Sequence, residues 1–323
     1  MNQAPVGVLT ADEIAILIRA AGAALSMHNT QPWRFEVADA VVDVLLDADR
    51  ALPAEDPTGR LVRIGLGAAT FNLRVAAAML GHTATVVSDP DPARPDIVAR
   101  LFLGSRGTGG ELGALYGEVH SRHTYRGPMT GLPVDDRLRT VLHDAARSEG
   151  AALVWLDAGQ VQQMIGLVVE AEVLDDADEE RRTEFAHWIG GEREYDGVPS
   201  GALGPPPDES PLAYRDLGSD VAGEQREPAS FEAEPQLAVL VAPTDGPAEW
   251  LRAGMALQRV LLLASAHGVS ASFVNQPLEH PEQRRYVRTI VGTGQPQQII
   301  RLGYPSGPGV RTPRRPWREL RQS

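Results

Sequence analysis

Five polar side chains stand together in residues 26–31, between an apolar helical pattern and an apolar β pattern. Asn29 and Gln31 carry amides, whose adjacent donor and acceptor atoms match a planar ring with alternating C=O and N–H groups. The pyrimidine edge of a flavin is such a ring, and Ser26 and Thr30 add hydroxyl groups that can bond to it. The alternative is a polar turn that closes the preceding helix. The segment therefore predicts either a flavin contact or a helix-ending turn.

A second polar motif consists of Arg122, Thr124 and Arg126. In a partly extended segment alternate side chains share one face, so these two guanidinium groups and the hydroxyl can converge on one phosphate. The chain contains no lysine, which means that any phosphate must be held by planar, bidentate donors. The alternative is an arginine-rich turn exposed to solvent, which is the commoner situation.

Other chemistries are excluded by the spacing of the residues concerned. The H-x-x-H pair in residues 120–123 has no cysteine and no acidic cluster with ligand spacing nearby, so we predict no metal site. Ser26 and His28 lie outside any G-x-S-x-G pattern, which argues against a nucleophilic serine. Gly65 and Gly67 lack the third glycine and the preceding strand of a dinucleotide fingerprint, and close helix packing explains them better.

Composition limits the partners and the compartment. A formal charge of −13 disfavours nonspecific binding to nucleic acid. No apolar run approaches the roughly 18–20 residues that span a bilayer, and the N-terminus has no basic region that would indicate a secretion signal. Cysteine is absent, so neither disulfides nor a thiol nucleophile is available. We predict a soluble, cytoplasmic protein that binds neither nucleic acid nor membrane.

The polar motifs must be positioned by a mixture of helices and strands. Thr10 to Glu13 reads as a capping box in front of a helix that ends near Gly22. Residues 170–184 carry many carboxylates, and we interpret them as a solvated helix face. Apolar periodicity predicts further helices and strands. The helices are expected at 60–80, 111–118, 135–147, 161–174, 250–267 and 282–291, and the strands at 33–37, 41–45, 84–88, 97–103, 151–156, 236–242, from 270, and 297–302.

Residues 190–235 differ in kind from the rest, because Gly, Pro, Asp and Glu dominate and apolar anchors are few. Compact domains seldom carry structureless loops of this length unless the loop is functional or disordered. We interpret the segment as a lid insertion, with residues 197–230 folding over a site. Tyr214 and Phe231 are the aromatic residues available to anchor such a cover against a ring.

The segment Ser-x-His-Asn-Thr-Gln-Pro-Trp-Arg-Phe, residues 26–35, resembles the flavin-contacting segment of FMN-dependent nitroreductases, with Leu25 where that family usually has Pro. The Arg-x-Thr-x-Arg motif resembles the family's Arg-x-Ser-x-Arg phosphate site, displaced to the middle of the chain. The whole chain resembles the Acg-type NAD(P)H nitroreductase group of actinobacteria, in which two nitroreductase-like halves are fused. Residues 195–199 and 214–216 match that group as well.

This resemblance implies an α+β, nitroreductase-like fold. Its two fused halves, residues 1–104 and 105–323, would form an intramolecular pseudo-dimer with one flavin site. It implies FMN as the cofactor, NADH or NADPH as the electron donor, and a chain that is a monomer or a homodimer. It assigns no catalytic residue. Asn275 and Gln276 would lie by the flavin N5 edge, with a plain strand end as the alternative, and Arg314 and Arg315, together with Arg301, near the phosphate. The full cofactor-binding set is then Ser26, His28, Asn29, Gln31, Arg122, Thr124, Arg126, Asn275, Gln276, Arg314 and Arg315.

Two functions use these same residues. The first is an oxidoreductase that passes electrons from NAD(P)H through FMN to a nitroaromatic, a quinone or a related acceptor. The second is a protein that stores or shields FMN beneath a lid with little turnover. A third and weaker interpretation is an interaction protein with a vestigial site. Binding motifs alone do not separate the first two.

Overall fold

The computed structural model describes residues 8–107, 110–208, 216–218 and 226–322. The helices in this part of the chain are α1 (Ala11–Gly22), α2 (Arg60–Met79), α3 (Gly110–Ala114), α4 (Tyr116–Ser121), α5 (Asp136–Ser148), α6 (Ala158–Ala177), α7 (Glu179–Trp188), α8 (Pro247–Ala266), α9 (Gln276–Glu279), α10 (Pro281–Val291) and α11 (Trp317–Leu320). The strands are β1 (Trp33–Ala38), β2 (Val41–Leu46), β3 (His82–Ser88), β4 (Ile97–Arg106), β5 (Ala152–Trp155), β6 (Leu237–Ala242), β7 (Ser270–Phe273), β8 (Gln295–Gly303) and β9 (Arg321–Gln322). The α+β class is confirmed.

The strands form two separate sheets. The first has the order β3-β4-β2-β1-β9, and the second has the order β5-β6-β8-β7. The predicted hairpin of β1 and β2 is present, with Trp33 opposite Leu46. At the other edge of β1, the C-terminal β9 pairs in parallel, with Phe35 opposite Arg321. The last residues of the chain therefore return to the sheet built by its beginning.

Local sequence signals explain where the first helix begins and which face it buries. Thr10 accepts a hydrogen bond from the backbone N–H of Glu13, and the Glu13 side chain accepts one from the Thr10 backbone N–H, which is the predicted capping box. Leu17 and Ile18 lie on the apolar face and are fully buried. The helix thus ends beside the polar segment 26–31 with its position set by the core.

Helices α2 and α8 pack directly against each other in the middle of the molecule. A Cβ added at Gly67 of α2 would lie 2.1 Å from the Leu251 carbonyl oxygen, and one added at Gly254 of α8 would lie 2.0 Å from the Ile64 carbonyl oxygen. The two backbones can approach this closely only because both positions are glycine.

Among the described helices, α2 alone is long and apolar enough to cross a bilayer, but it is mostly buried inside the protein, as expected of a core helix.

The hydrophobic cores do not follow the predicted halves in every detail. Leu115 of the α3–α4 junction, Val119 of α4 and Leu320 of α11 belong to the core of the first sheet. The first sheet, through β9, and its core, through the segments just named, thus both include residues that follow the predicted boundary after residue 104. The second sheet has its own cores on its two faces, one toward α5 and α8 and the other toward α6 and α10.

The acidic run at 170–184 is not a single solvated face. Helix α6 ends at Ala177 and α7 begins at Glu179, so the run spans two helices. Asp175 and Arg181 are buried and form an ion pair of 2.8 Å, and Arg181 also bonds to Glu279 at 2.7 Å. The expectation of a solvated face was wrong for these two residues, because their partners come from elements distant in sequence.

We predict that Gly67→Ala lowers the free energy of unfolding by about 2 kcal/mol or more, because the new methyl group would collide with backbone atoms that cannot move independently. Gly166→Ala is the matched control: it lies within α6, is exposed, and has open space around its Cβ position. It should raise stability by about 0.5–1 kcal/mol through helix propensity. Denaturant unfolding of both variants checks this, and equal effects would contradict the close contact of α2 and α8.

Candidate functional site

The polar segment 26–31 forms a strained turn after α1. His28, Asn29 and Gln31 have φ angles of 48°, 58° and 52°, in the left-handed region that non-glycine residues rarely adopt. The Ser26 hydroxyl accepts a hydrogen bond of 2.9 Å from the Gln31 backbone N–H and closes the turn. Strain at three positions in one turn persists only where the surroundings hold it, and such strain concentrates at functional sites.

The Asn29 amide joins two distant parts of the chain. Its Nδ2 donates to the carbonyl oxygens of Gly197, at 2.9 Å, and Pro313, at 3.0 Å. Its Oδ1 accepts a bond of 2.7 Å from Arg314 Nη1. All the hydrogen-bonding groups of this amide are therefore engaged by the protein, and it fixes the position of Arg314.

Gln31, two residues later, also joins two distant segments through its side-chain amide. Its side chain is fully buried, with Nε2 donating to the Tyr195 carbonyl at 2.8 Å and Oε1 accepting from the Arg315 backbone N–H at 2.9 Å. The structure therefore places the Asn29 and Gln31 amides against segments 195–197 and 313–315 and not on the cavity described next.

A partly open cavity of about 210 Å³, here named the inner cavity, lies between α2 and the strands β7 and β8. Leu61, Ile64 and Gly65 of α2 supply part of its wall, and Phe273 supplies another part. Six predicted site residues also line it, which are Ser26, His28, Thr124, Arg126, Asn275 and Gln276. Three segments far apart in sequence thus meet at one cavity.

Asn275 lines the inner cavity, but its side chain is also engaged at the end of the second sheet. Its Nδ2 donates to Gln298 Oε1 at 2.7 Å, and its Oδ1 accepts from the Ile299 backbone N–H at 2.8 Å. This fixes the orientation of the amide beside the cavity. Gln276 follows as the first residue of α9 and is buried.

A larger opening of about 630 Å³, here named the outer cleft, meets the inner cavity. Thr124, Arg126 and Pro205 line both spaces, and Ser200 and Gly309 line only the outer cleft. Together the two spaces exceed the roughly 300 Å³ at the lower end of small-molecule sites. Thr124 and Arg126 therefore stand where an elongated ligand would pass from one space to the other.

Arg126, at this junction, forms a cationic cluster with Arg122 and Arg314, which do not themselves line either space. Arg122 is 8% exposed, and the guanidinium groups of Arg126 and Arg314 are buried although each residue as a whole is partly exposed. Arg126 bonds to the Ala202 carbonyl at 3.2 Å, and Arg314 bonds to neutral oxygens, including the Asn29 amide. Within the described part of the chain, none of the three forms an ion pair with a carboxylate.

The electrostatic cost of this cluster shows in the pKa values of its members. Burial lowers the pKa of Arg122 to about 10 and the pKa of Arg126 to about 10, and the charge of Arg126 adds to the effect at Arg122. Burial lowers the pKa of Arg314 to about 9, with repulsion from Arg122 and Arg126 as further causes. All three remain protonated at neutral pH, so the site concentrates positive charge that an anion would neutralise.

Several polar atoms around the cluster are buried and have no hydrogen-bond partner among the described residues. They include Arg122 Nε, Arg314 Nε, His123 Nε2 and the Ser200 hydroxyl. Buried polar atoms are nearly always paired, so these atoms indicate a polar ligand or water at the site. Ser200 has no neighbouring motif that would have marked it in the sequence, and it was missed there.

Gly204 was also missed by sequence reasoning, although it shapes the cluster. A Cβ at this position would lie 2.5 Å from the Arg126 carbonyl oxygen, and its φ of 80° is in the left-handed region. The Gly-Pro run that contains it was visible in the sequence as a turn signal, but its contact with Arg126 was not.

Arg301 and Arg315, which the resemblance placed near a phosphate, have carboxylate partners. Arg301 is 1% exposed, and its Nε and Nη2 bond to the two oxygens of Glu232. Arg315 Nη1 lies 3.3 Å from Asp47 Oδ2. Arg301 is therefore neutralised by a carboxylate of its own, whereas Arg315 shares Asp47 with Arg34 and Arg50.

Segment 190–235 covers part of the inner cavity. Leu203, Pro205, Pro207, Leu217 and Phe231 of this segment line the wall, whereas Tyr214 lies outside the described residues. Its first part is packed: residues 198, 202 and 203 are buried with the end of α7. Two parts of the segment come together where the Asp208 backbone N–H donates to the Ala229 carbonyl oxygen at 3.0 Å.

No family model matches the chain. It is 28% identical over 314 residues, 97% of its length and 91% of the relative's, to the Mycobacterium tuberculosis protein named Putative NAD(P)H nitroreductase Rv3131. It is 27% identical over 321 residues, 98% of its length and 97% of the relative's, to Putative NAD(P)H nitroreductase acg of the same species. This similarity along the whole chain confirms the predicted resemblance to the Acg-type group.

Solved structures give weaker overlaps. A nitroreductase with bound FMN from Desulfitobacterium hafniense has a TM-score of 0.41 and 11% identity, covering 61% of this chain and 92% of that one. A nitroreductase with bound FMN from Bacteroides fragilis has a TM-score of 0.39 and 11% identity, covering 61% of this chain and 92% of that one.

Proposed function

We propose that the chain is an FMN-binding oxidoreductase of the nitroreductase type. The phosphate of FMN would bind to Arg122, Arg126 and Arg314, and the ring system would lie in the inner cavity. The observation that carries this proposal is the buried cluster of three guanidinium groups with no carboxylate partner among the described residues. The full-length relatives named as NAD(P)H nitroreductases support the same class of ligand.

The residues at the cluster fit a phosphate group in chemistry as well as in charge. Arginine forms short, bidentate hydrogen bonds with phosphate oxygens, and the chain has no lysine that could substitute. The unpaired Ser200 hydroxyl and Arg122 Nε add donors at the same place. Thr124, at the junction of the two spaces, would contact the ribityl chain that links the phosphate to the ring.

The inner cavity fits an aromatic ring system that carries polar edges. Ile64 and Phe273 provide apolar surface, while Ser26, Asn275 and Gln276 provide hydrogen-bonding groups at the cavity wall. Ligand sites commonly combine apolar walls with a few oriented polar groups. Asn29 and Gln31 would act on the ligand indirectly, by holding the turn that presents Ser26 and His28.

One composite site per chain follows from this arrangement. Ser26 and His28 come from the half that we place at residues 1–104, and Arg122, Thr124 and Arg126 come from the half at 105–323. We infer that the halves form an intramolecular pseudo-dimer in which each contributes a different part of the single site. The C-terminal return to the first sheet, which positions Arg314, is consistent with this.

When bound, FMN would take two electrons from NADH or NADPH and pass them to an acceptor such as a nitroaromatic or a quinone. The protein's own contribution is to bind the phosphate, orient the ring and exclude water from the cavity. Segment 190–235 would supply the exclusion of water, because six of its described residues line one side of the inner cavity.

We predict that Arg122→Met changes stability and binding in opposite directions. It should raise the unfolding free energy of FMN-free protein by about 1 kcal/mol, because it removes a buried charge that lacks a partner. It should weaken FMN binding about 10-fold to 100-fold, since bonds to a charged group are worth roughly 1.5–3 kcal/mol. Arg126→Lys should recover only part of the affinity that Arg126→Ala loses. Thermal unfolding and fluorescence titration measure the two effects.

Arg301→Met is the matched control, because Arg301 is buried and paired with Glu232. The substitution breaks a buried ion pair by removing one of its two charges, which should destabilise FMN-free protein by about 3–5 kcal/mol. If Arg122→Met instead binds FMN as the unmodified chain does, the phosphate binds elsewhere and the proposal is wrong.

A second function, storage or shielding of FMN, is favoured by the cover that segment 190–235 places on the inner cavity, to which Asp216 and Leu217 contribute. We predict that replacing residues 209–227 with a short Gly/Ser linker keeps the fold and the FMN content. The contact of Asp208 with Ala229 brings the two ends together, and the buried residues 198–203 remain.

The deletion should change how fast NADPH and dithionite reduce the bound flavin. Sharply faster reduction would indicate shielding as the main role of the segment. Lower turnover with faster reaction of the reduced protein with oxygen would indicate an enzyme that uses the segment as a lid. Rates identical to those of the full chain would show that the segment is neither.

A further inference from the structure

His28 lines the inner cavity and is held there by a buried carboxylate. Its Nε2 lies 2.8 Å from Glu55 Oε2, and the two side chains are 10% and 1% exposed. The Phe185 ring meets the imidazole edge to face, with the ring centroids 5.1 Å apart. The φ of 48° at His28 lies in the left-handed region, so the backbone that carries the ring is held in a strained conformation. Hydrogen bonding, packing and backbone geometry thus all restrict this ring to one orientation.

The Glu55 side chain bonds to His28 and to no other described residue. Its other carboxylate oxygen, Oε1, is buried and has no hydrogen-bond partner in the described part of the chain. Its backbone is clamped from α7, because its N–H donates to Glu184 Oε2 at 2.8 Å and its carbonyl accepts from Arg181 at 3.3 Å. The carboxylate is therefore placed to orient one imidazole nitrogen and to balance a positive charge on the ring.

The pairing determines which ring nitrogen faces other partners. With Nε2–H donating to Glu55, the second nitrogen, Nδ1, makes no hydrogen bond to any described residue. Enzymes that transfer protons through histidine use this arrangement, in which a carboxylate fixes the tautomer and the opposite nitrogen exchanges the proton. His28 on the cavity wall has the same arrangement.

The other charged residues on the cavity wall either form ion pairs or, in the case of Arg126, carry a guanidinium group that stays protonated at neutral pH. Glu279 is paired with Arg181, Asp216 with Arg226, and Arg301 with Glu232. Glu55, on the loop before α2, is the charged residue that bonds to the His28 ring, Glu184 and Arg181 of α7 bond to the Glu55 backbone, and Glu279 of α9 lines the same cavity. An imidazole can accept a proton at one nitrogen and donate one at the other, and His28 is the histidine among the described residues of the cavity wall.

We propose that His28 is the proton donor to the electron acceptor, and that Glu55 is the positioning residue that holds it. This rests on the proposed function, because it assumes an acceptor reduced in the inner cavity. For a quinone, NAD(P)H, one proton and the quinone give NAD(P)⁺ and the hydroquinone. The nicotinamide supplies the electron pair and one hydrogen. The remaining proton leaves Nδ1 of the imidazolium, whose N–H bond breaks as the O–H bond forms on the acceptor, and solvent later reprotonates the ring.

The test separates the two halves of turnover in FMN-loaded His28→Gln. Reduction by NADPH needs no proton from His28, so its rate should stay within about 2-fold. Reoxidation by para-benzoquinone should slow about 100-fold, which is typical of the loss of a general acid. His280→Gln is the matched control, because His280 also pairs with a buried carboxylate, Asp175 at 2.9 Å, but does not line the cavity. It should leave both rates unchanged.

A binding measurement that involves no turnover gives a second readout. The anion of para-nitrophenol mimics the oxygen of the reduced acceptor, and its colour reports whether it binds as phenol or phenolate. The unmodified protein should bind it as phenolate against protonated His28, and His28→Gln should bind it at least about 10-fold more weakly. Glu55→Gln should give intermediate affinity, because it keeps the ring and its hydrogen bond but removes the carboxylate charge.

The outcomes separate this proposal from the proposed function. A protein that cannot be loaded with FMN overturns the proposed function itself. FMN-loaded His28→Gln with unchanged reoxidation and unchanged para-nitrophenol binding overturns only the role of His28. If His28→Gln loses FMN, Glu55→Gln decides: slower reoxidation with normal reduction supports the proposal, and two unchanged rates overturn it.

Discussion

The mutual repulsion of three buried guanidinium groups is the constraint on which the rest of the site depends. Arg122, Arg126 and Arg314 lose hydration on burial and gain no carboxylate within the described chain, and burial and mutual repulsion together lower the pKa of Arg122 and Arg314. A fold keeps such a cluster only if packing elsewhere outweighs its cost. A bound anion would replace this repulsion with attraction, so binding a phosphate would raise the free energy of unfolding of the whole chain.

The fold brings these arginines together through contacts that are themselves tightly specified. Arg314 is placed by the Asn29 amide and by the return of β9 to the first sheet. The direct backbone contact at Gly67 and Gly254 fixes how the helices of the two sheets meet. The same strained turn that holds Asn29 presents His28 to the inner cavity, so phosphate recognition and the proposed proton transfer share one structural support.

Local patterns in the sequence were sufficient for the parts of the fold that are local in origin. The capping box of Thr10 and Glu13, the β1–β2 hairpin and the close-packing role of Gly67 all follow from neighbouring residues or from one helix face. The Arg-x-Thr-x-Arg spacing likewise marked two of the three cluster arginines. Arg314 was named only through the resemblance, because nothing in its own surroundings distinguishes it from the other basic residues near the C-terminus.

What sequence reasoning missed depends on partners distant along the chain. The Asn29 and Gln31 amides were expected to face a ring, yet they bond to carbonyls 168 and 164 residues away. Ser200 and Gly204 lie in a Pro- and Gly-rich segment whose contacts with the cluster have no local signature. Asp175 and Arg181 were assigned to a solvated helix face because their run is rich in charged residues, and their burial depends on Glu279 and on backbone carbonyls from another segment.

The central claim is that the arginine cluster recognises a phosphate, and comparing FMN with riboflavin tests it most directly, because the two ligands differ only in that group. Fluorescence titration of flavin-free protein should give an affinity for FMN at least about 1,000-fold higher than for riboflavin, as expected for several charge-assisted hydrogen bonds. In Arg122→Met this ratio should fall about 10-fold or more. Equal affinities for the two flavins would contradict the account.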